Sequence, residues 1–153
     1  MSEPGVYCLT GEITMQNFVH SYRDLQVYQL AFEGSVDLYR LIHQFPQGFD
    51  TYLAAKLLST SRAVRANIAA AWGKRRNLAA LIGHLSTAQL EAAEMQIWIE
   101  AAIAAGYLTA GVGQGLYDRY RCIYVALDQL MASAMATAKR RQGSQGAVWR
   151  ATA

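Results

Sequence analysis

Cysteine is nearly absent. Cys8 and Cys122 are the whole complement of a 153-residue chain, and they lie far apart without motif spacing. Such a pair predicts no disulfide framework and suits a reducing, cytoplasmic setting. Charge is sparse too, at 16% of residues against 53% apolar ones, a ratio on the apolar side for a domain of this length. Yet no apolar run spans a membrane. The longest uncharged stretch, residues 101–117, contains Gly106, Gly111, Gly113 and Gly115 and falls short of the roughly 20 apolar residues a crossing needs. The N-terminal MSEPGVYCLTGEIT has no basic region followed by an apolar one, so it is not read as a signal peptide.

The lettering of a catalyst is missing as well. Helical bundles that house two metals use inward-facing Glu-x-x-His pairs, but Glu91, Glu94 and Glu100 are followed three places on by Glu94, Ile97 and Ile103. His20, His43 and His84 lie more than twenty residues apart from one another, and neither cysteine has a matching ligand nearby. No nucleophile motif, phosphate-cradling loop or dinucleotide fingerprint occurs, and the glycines of GVGQG follow no strand. No metal, no cofactor and no catalytic residue are therefore expected.

What is present is helical periodicity. Residues 1–15 read as an irregular arm punctuated by Pro4, Gly5 and Gly11. A first helix is expected over about residues 18–45, where Gln26, Gln29, Glu33, Asp37, Arg40 and Gln44 form one narrow polar stripe. Two apolar rows fill the rest. One comprises Leu25, Tyr28, Phe32, Val36, Tyr39 and Ile42; the other comprises Val27, Leu30, Gly34, Leu38, Leu41 and Phe45. A bundle helix needs only about a third of its circumference apolar, so the surplus row predicts a subunit interface. Val27, Leu30, Leu38, Leu41 and Phe45 are the candidates for it.

Pro46 and Gly48 close that helix, and Asp50 or Thr51 can cap the second, which runs to about Trp72 with Gly73 as its left-handed stop. A third helix follows over about residues 77–105, with Leu78, Leu81, Ile82, Leu85, Ala88, Ala92, Met95, Ile99 and Ile103 on its apolar face. Gly106 ends it and Thr109 can cap the fourth. Gly111, Gly113 and Gly115 each weaken that fourth helix by about 1 kcal/mol relative to Ala. From Leu116 to about Ala138 the pattern is firm, through Tyr120, Ile123, Leu127, Leu130 and Met131. Short connections then predict an all-α, antiparallel up-down-up-down four-helix bundle over residues 16–138, assembling into a ring, followed by a basic, flexible tail over residues 139–153.

Charge is unequally shared. Residues 1–55 carry two basic and six acidic side chains, a net of −4, whereas residues 56–153 carry twelve basic and five acidic, a net of +7. This asymmetry fits a nucleic-acid partner, and it equally fits contacts between copies of the chain. Lys74, Arg75 and Arg76 share one turn, and Lys139, Arg140 and Arg141 close the fourth helix. Counting directions puts both triplets at one end of the bundle, with Arg62 or Arg65 a few turns below, so all eight are candidate phosphate contacts. The competing explanation is that Lys and Arg collect at helix C-termini because of the helix dipole alone. Trp72 can stack on a base or serve as a packing anchor. Tyr28, Tyr39, Tyr117, Tyr120 and Tyr124 are most simply packing residues, and Trp149 marks a docking peptide in the tail.

The run YRDLQVYQLAFEGSVDLYRLIHQFP resembles the opening helix of the small four-helix bundle proteins known as large-subunit (23S) rRNA intervening-sequence proteins. Asn67-Ile68-Ala69 followed by Trp72-Gly73-Lys74 is similar to that family's second-helix signature, and Ala105-Gly106-Tyr107-Leu108 to its third-helix ending. The likeness runs from about Tyr22 to Met131. It implies a homopentameric barrel. A related branch, the accessory protein of diversity-generating retroelements, resembles this chain in fold and in its basic C-terminal tail, which implies RNA or DNA and a reverse transcriptase as partners. The chain departs from the usual Ser-Ile-Pro-Ser-Asn-Ile-Ala-Glu-Gly, with Arg65 at the proline and Ala70 at the acidic position, and with Leu58-Ser59 where paired arginines stand. The reading is a non-catalytic, cytoplasmic, homo-oligomeric bundle that binds nucleic acid or a nucleic-acid enzyme. The alternative is a protein-protein adaptor with no nucleic-acid role.

Overall fold

The structure is a computed structural model that describes residues 19–46 and 51–151, with side chains described as far as residue 143. Among them are four α-helices and no strand: α1 (Gln26–His43), α2 (Thr51–Gly73), α3 (Leu78–Ala104) and α4 (Ala110–Ala151). Each helix packs on its two neighbours in the order α1, α2, α3, α4 and back to α1. The irregular arm and the expected cap at Asp50 lie outside the described residues.

The first helix starts later than its periodicity predicts. Ser21 accepts from the Arg23 amide at 3.0 Å while the Asp24 carboxylate accepts from the Ser21 amide at 3.0 Å, a reciprocal box that closes a separate 3-10 turn over Tyr22–Asp24. Leu25 is then extended and buried, and α1 begins at Gln26. Gly73 is also not left-handed. It is the last residue of α2, and the chain tightens after it as the Arg75 amide donates to the Trp72 carbonyl at 3.2 Å. Among the described residues only Gly106 has a positive φ, 80°, which lets the Tyr107 amide reach back to the Ala102 carbonyl at 2.9 Å and seats Leu108 in the core. Asn77 and Thr109 cap α3 and α4 through the Ala80 and Val112 amides, at 3.1 and 3.3 Å. The fourth helix continues past the expected end near Ala138 as far as Ala151.

The core follows the apolar rows of α3 and α4. Leu81, Leu85, Ala88, Ala92, Met95 and Ile99 from α3 meet Leu116, Tyr120, Ile123, Leu127, Leu130 and Met131 from α4, with Leu57, Val64 and Ile68 from α2. Ser86 lies against Met131 and Gln89 against Asp128, while the Gly113 backbone rests on the Ile103 side chain, so numbers fall along α4 as they rise along α3.

The α1 rows divide opposite to the expectation. Val27 and Leu38 are wholly buried within the single chain and Phe45 nearly so, with Leu30 and Leu41 half-buried against the same core. The row proposed for subunit contact is therefore the inward one. The reason is steric: Gly34 lies on it with buried Ala31 beside it, and these small residues let α1 approach α4 closely, where a Cβ at Gly34 would sit 3.0 Å from Arg119 Cδ and 3.4 Å from Tyr120 Oη. Outward stand Phe32, 47% exposed, and Tyr39, 58% exposed. Arg119 locks the two helices by reaching Glu33 and Asp37 at 3.3 Å each. Cys122 is buried and disulfide-bonded, against the expectation of no disulfide; its partner lies outside the described residues.

Tyr120 is fully buried, and its hydroxyl has no hydrogen bond of acceptable geometry, although Ser35 and Ser61 are close by. Burial is the main cause that pushes its pKa up to about 12, offset in part by the two serines and by Arg119 and Arg65. The neutral phenol is thus preferred by the folded state, so its contribution is complete below about pH 10 and is lost as the pH climbs towards 12. In urea denaturation, Tyr120→Phe should alter stability at pH 7 by less than about 1 kcal/mol, because no hydrogen bond is lost. It should also remove a fall of about 1.4 kcal/mol per pH unit that the parent shows between roughly pH 10 and 12.

Candidate nucleic-acid interface

The α2–α3 turn and the start of α3 meet the far part of α4 in a groove. Its cavity volume is about 500 Å³, and it is lined by Arg75 and Arg76 from the α2–α3 turn, Leu78 and Leu81 from the first turns of α3, and residues 130–142 of α4. Two segments almost fifty residues apart in sequence therefore build one site. Their meeting follows from chain geometry: the four-residue connection after Gly73 puts the start of α3 beside the end of α2, and α4 lies along α3.

Leu78, Leu81, Leu130, Ala134 and Ala138 supply an apolar floor. Ser133, Thr137 and Gln142 add hydrogen-bonding groups, and Arg75, Arg76 and Arg141 add positive charge. Arg75 is held in place. Its guanidinium carbon lies 4.1 Å from the centroid of the Trp72 ring, and Nη1 donates to the Trp72 carbonyl at 2.9 Å. Trp72 is half-buried against the core, so it is an anchor with one face covered by Arg75.

Of the eight predicted basic residues, the groove gathers Arg75, Arg76 and Arg141. Lys74, Lys139 and Arg140 are exposed beside them in sequence, and Arg140 donates to Thr137 Oγ1 at 3.3 Å. Arg62 and Arg65 do not line it. Arg65 stands about 15 Å along α2 from Arg75 at 1.5 Å per residue. It lies over the Phe32 ring at 5.7 Å, with a buried Nε that has no partner. Among the described residues none of the eight has a carboxylate within 4.0 Å, whereas Arg40, Arg119 and Arg121 each do. The groove's hydroxyls and floor escaped the sequence reading. Their signal was the spacing of Leu130, Ala134, Thr137, Ala138 and Arg141 along one helical face, which continues past the point where the core pattern stops.

The remaining chemistry is bare. Among the described residues no group of three or more His, Cys, Asp or Glu is placed to hold a metal ion, and no helix is long and apolar enough to cross a membrane. The side chain of Trp149 lies outside the described residues.

A family model described as 23S rRNA-intervening sequence protein matches residues 23–129. Among solved structures, a protein of unknown function from the S23 ribosomal protein family of Bacteroides thetaiotaomicron is similar to the chain at 22% identity. That similarity covers 69% of this chain and 95% of the other, with a TM-score of 0.62, and it supports the fold. No curated protein matches the chain.

The exposed arginines should contribute little to folding. In urea denaturation Arg75→Ala should lower stability by about 0.5–1 kcal/mol through its lost cation–π contact, and Arg76→Ala by less than about 0.5 kcal/mol. Larger losses would identify the cluster as structural.

Proposed function

The chain belongs to the family of 23S rRNA-intervening sequence proteins, and from that premise we propose that it is a non-catalytic, self-assembling, antiparallel up-down-up-down bundle whose basic end binds nucleic acid. The observation that carries this reading is the convergence of Arg75, Arg76 and Arg141 on one groove with no carboxylate within 4.0 Å of them among the described residues. Helix-dipole capping accounts for a cation near a helix end. It does not account for charges from the α2–α3 turn and from Arg141, ten residues inside the end of α4, gathered around one depression with no carboxylate within 4.0 Å among the described residues. Phosphate contact does, because each neutralised phosphate releases counterions.

Assembly rests on apolar surface left uncovered by the chain itself. Phe32 and Tyr39 on α1, and Leu90 and Ile97 seven residues apart on α3, are all strongly exposed. A ring of subunits would cover both rows and set several basic grooves side by side, multiplying a weak single contact.

Two measurements test the reading together. Light scattering should give a mass several times the 16.9 kDa of one chain, falling to the monomer for a Phe32→Glu, Tyr39→Glu double variant that keeps its helical circular dichroism. Fluorescence anisotropy with a short structured RNA should show affinity dropping about 30- to 100-fold from 50 to 200 mM salt, as three or so phosphate contacts per site require. Replacing Arg75, Arg76, Arg140 and Arg141 together by Glu should abolish that binding and leave the assembly intact. An assembly that ignores RNA at every salt concentration would overturn the nucleic-acid reading and leave a protein-binding adaptor.

A further inference from the structure

We infer that the groove takes an unpaired nucleobase, stacked on the Arg75 guanidinium, so that the protein selects single-stranded over double-stranded nucleic acid; this rests on the nucleic-acid reading above. A site for phosphate alone needs cations on an open surface. This one has a depression of about 500 Å³ with a floor of Leu78, Leu81, Leu130 and Ala134, a volume within the range of small-molecule sites, about 300–1,000 Å³. A duplex keeps its bases paired and stacked, so it can lay phosphates along the rim but has nothing to place on an apolar floor. A single strand can turn a base out.

Arg75 is prepared for that base. Its guanidinium lies over the Trp72 ring, 4.1 Å from guanidinium carbon to ring centroid, and the bond from Nη1 to the Trp72 carbonyl at 2.9 Å fixes its position. An arginine plane held in this way is a stacking surface for a base, and its remaining face belongs to a side chain that lines the groove. The base would extend a stack already begun by Trp72 and Arg75. Ser133, Thr137 and Gln142 stand where hydroxyl and amide groups can bond to base edges, and Arg76 and Arg141 stand where the flanking phosphates would pass. The positive charge, with no carboxylate within 4.0 Å among the described residues, argues for an anionic strand over a neutral or cationic occupant, and the polar wall argues against a plain hydrocarbon chain.

The test compares a fluorescein-labelled 12-nucleotide single-stranded RNA, the same strand annealed to its complement, and an abasic strand of equal length, by anisotropy at 100 mM salt. The single strand is expected to bind at least about 10-fold more tightly than the duplex or the abasic strand. Arg75→Lys keeps the charge and removes the plane; it should cancel that preference while leaving duplex binding within about twofold. Ala138→Leu fills the groove without touching any charge and should do the same, with circular dichroism confirming the fold. Equal affinity for all three ligands, or a preference that survives both variants, overturns base insertion and leaves phosphate contact standing. Loss of binding to every ligand in the parent protein overturns both readings.

Discussion

Gly34 brings α1 so close to α4 that a Cβ there would sit 3.0 Å from the Arg119 stem and 3.4 Å from the Tyr120 hydroxyl. Much else is set by that contact. It turns Val27, Ala31 and Leu38 inward, completes the core around Tyr120, and lets Arg119 reach across to Glu33 and Asp37. Those ion pairs are largely exposed and stabilise little by themselves. Their role is to fix the rotation of α1 about its own axis, and that rotation decides which apolar row is left facing outward. Phe32 and Tyr39 are uncovered because Gly34 is covered.

A second consequence concerns charge. The acidic side chains of the first helix are used within the bundle, in the Arg119 and Arg40 pairs, and none of them is placed against the cationic end. Arg75, Arg76 and Arg141 are left with Trp72, a carbonyl oxygen and solvent as neighbours. Packing thus separates the two signs of charge in space as the sequence separates them along the chain. An uncompensated cationic groove costs the fold some self-repulsion, which an anionic ligand would relieve.

The helices themselves were legible in outline. Apolar spacing marked most of the inward faces of α3 and α4, Leu78 at the start of α3 being the exception, exposed at 39%, and Asn77, Gly106 and Thr109 act at the boundaries where their side chains or backbone freedom put them. Boundaries failed where a local hydrogen-bonding alternative won. Ser21 and Asp24 closed a turn of their own ahead of α1, and Gly73 stayed helical because the following turn was satisfied by carbonyls of α2. At the basic end, the members of the charged cluster could be named but their fates could not. Arg65 went to the Phe32 face and Arg75 onto Trp72, since a long side chain selects its partner from whatever surface the neighbouring helix presents.

By itself the sequence determined the number of helices, the inward faces of α3 and α4, and the sign of charge at each segment, because periodicity and composition are properties of short stretches. The choice between the two apolar rows of α1, and the meeting of Arg75 and Arg76 with Arg141 over an apolar floor, were decided only by the tertiary structure. Both depend on how one helix is rotated and placed against another, and that is fixed by close contacts such as Gly34 on Arg119, between residues more than eighty positions apart.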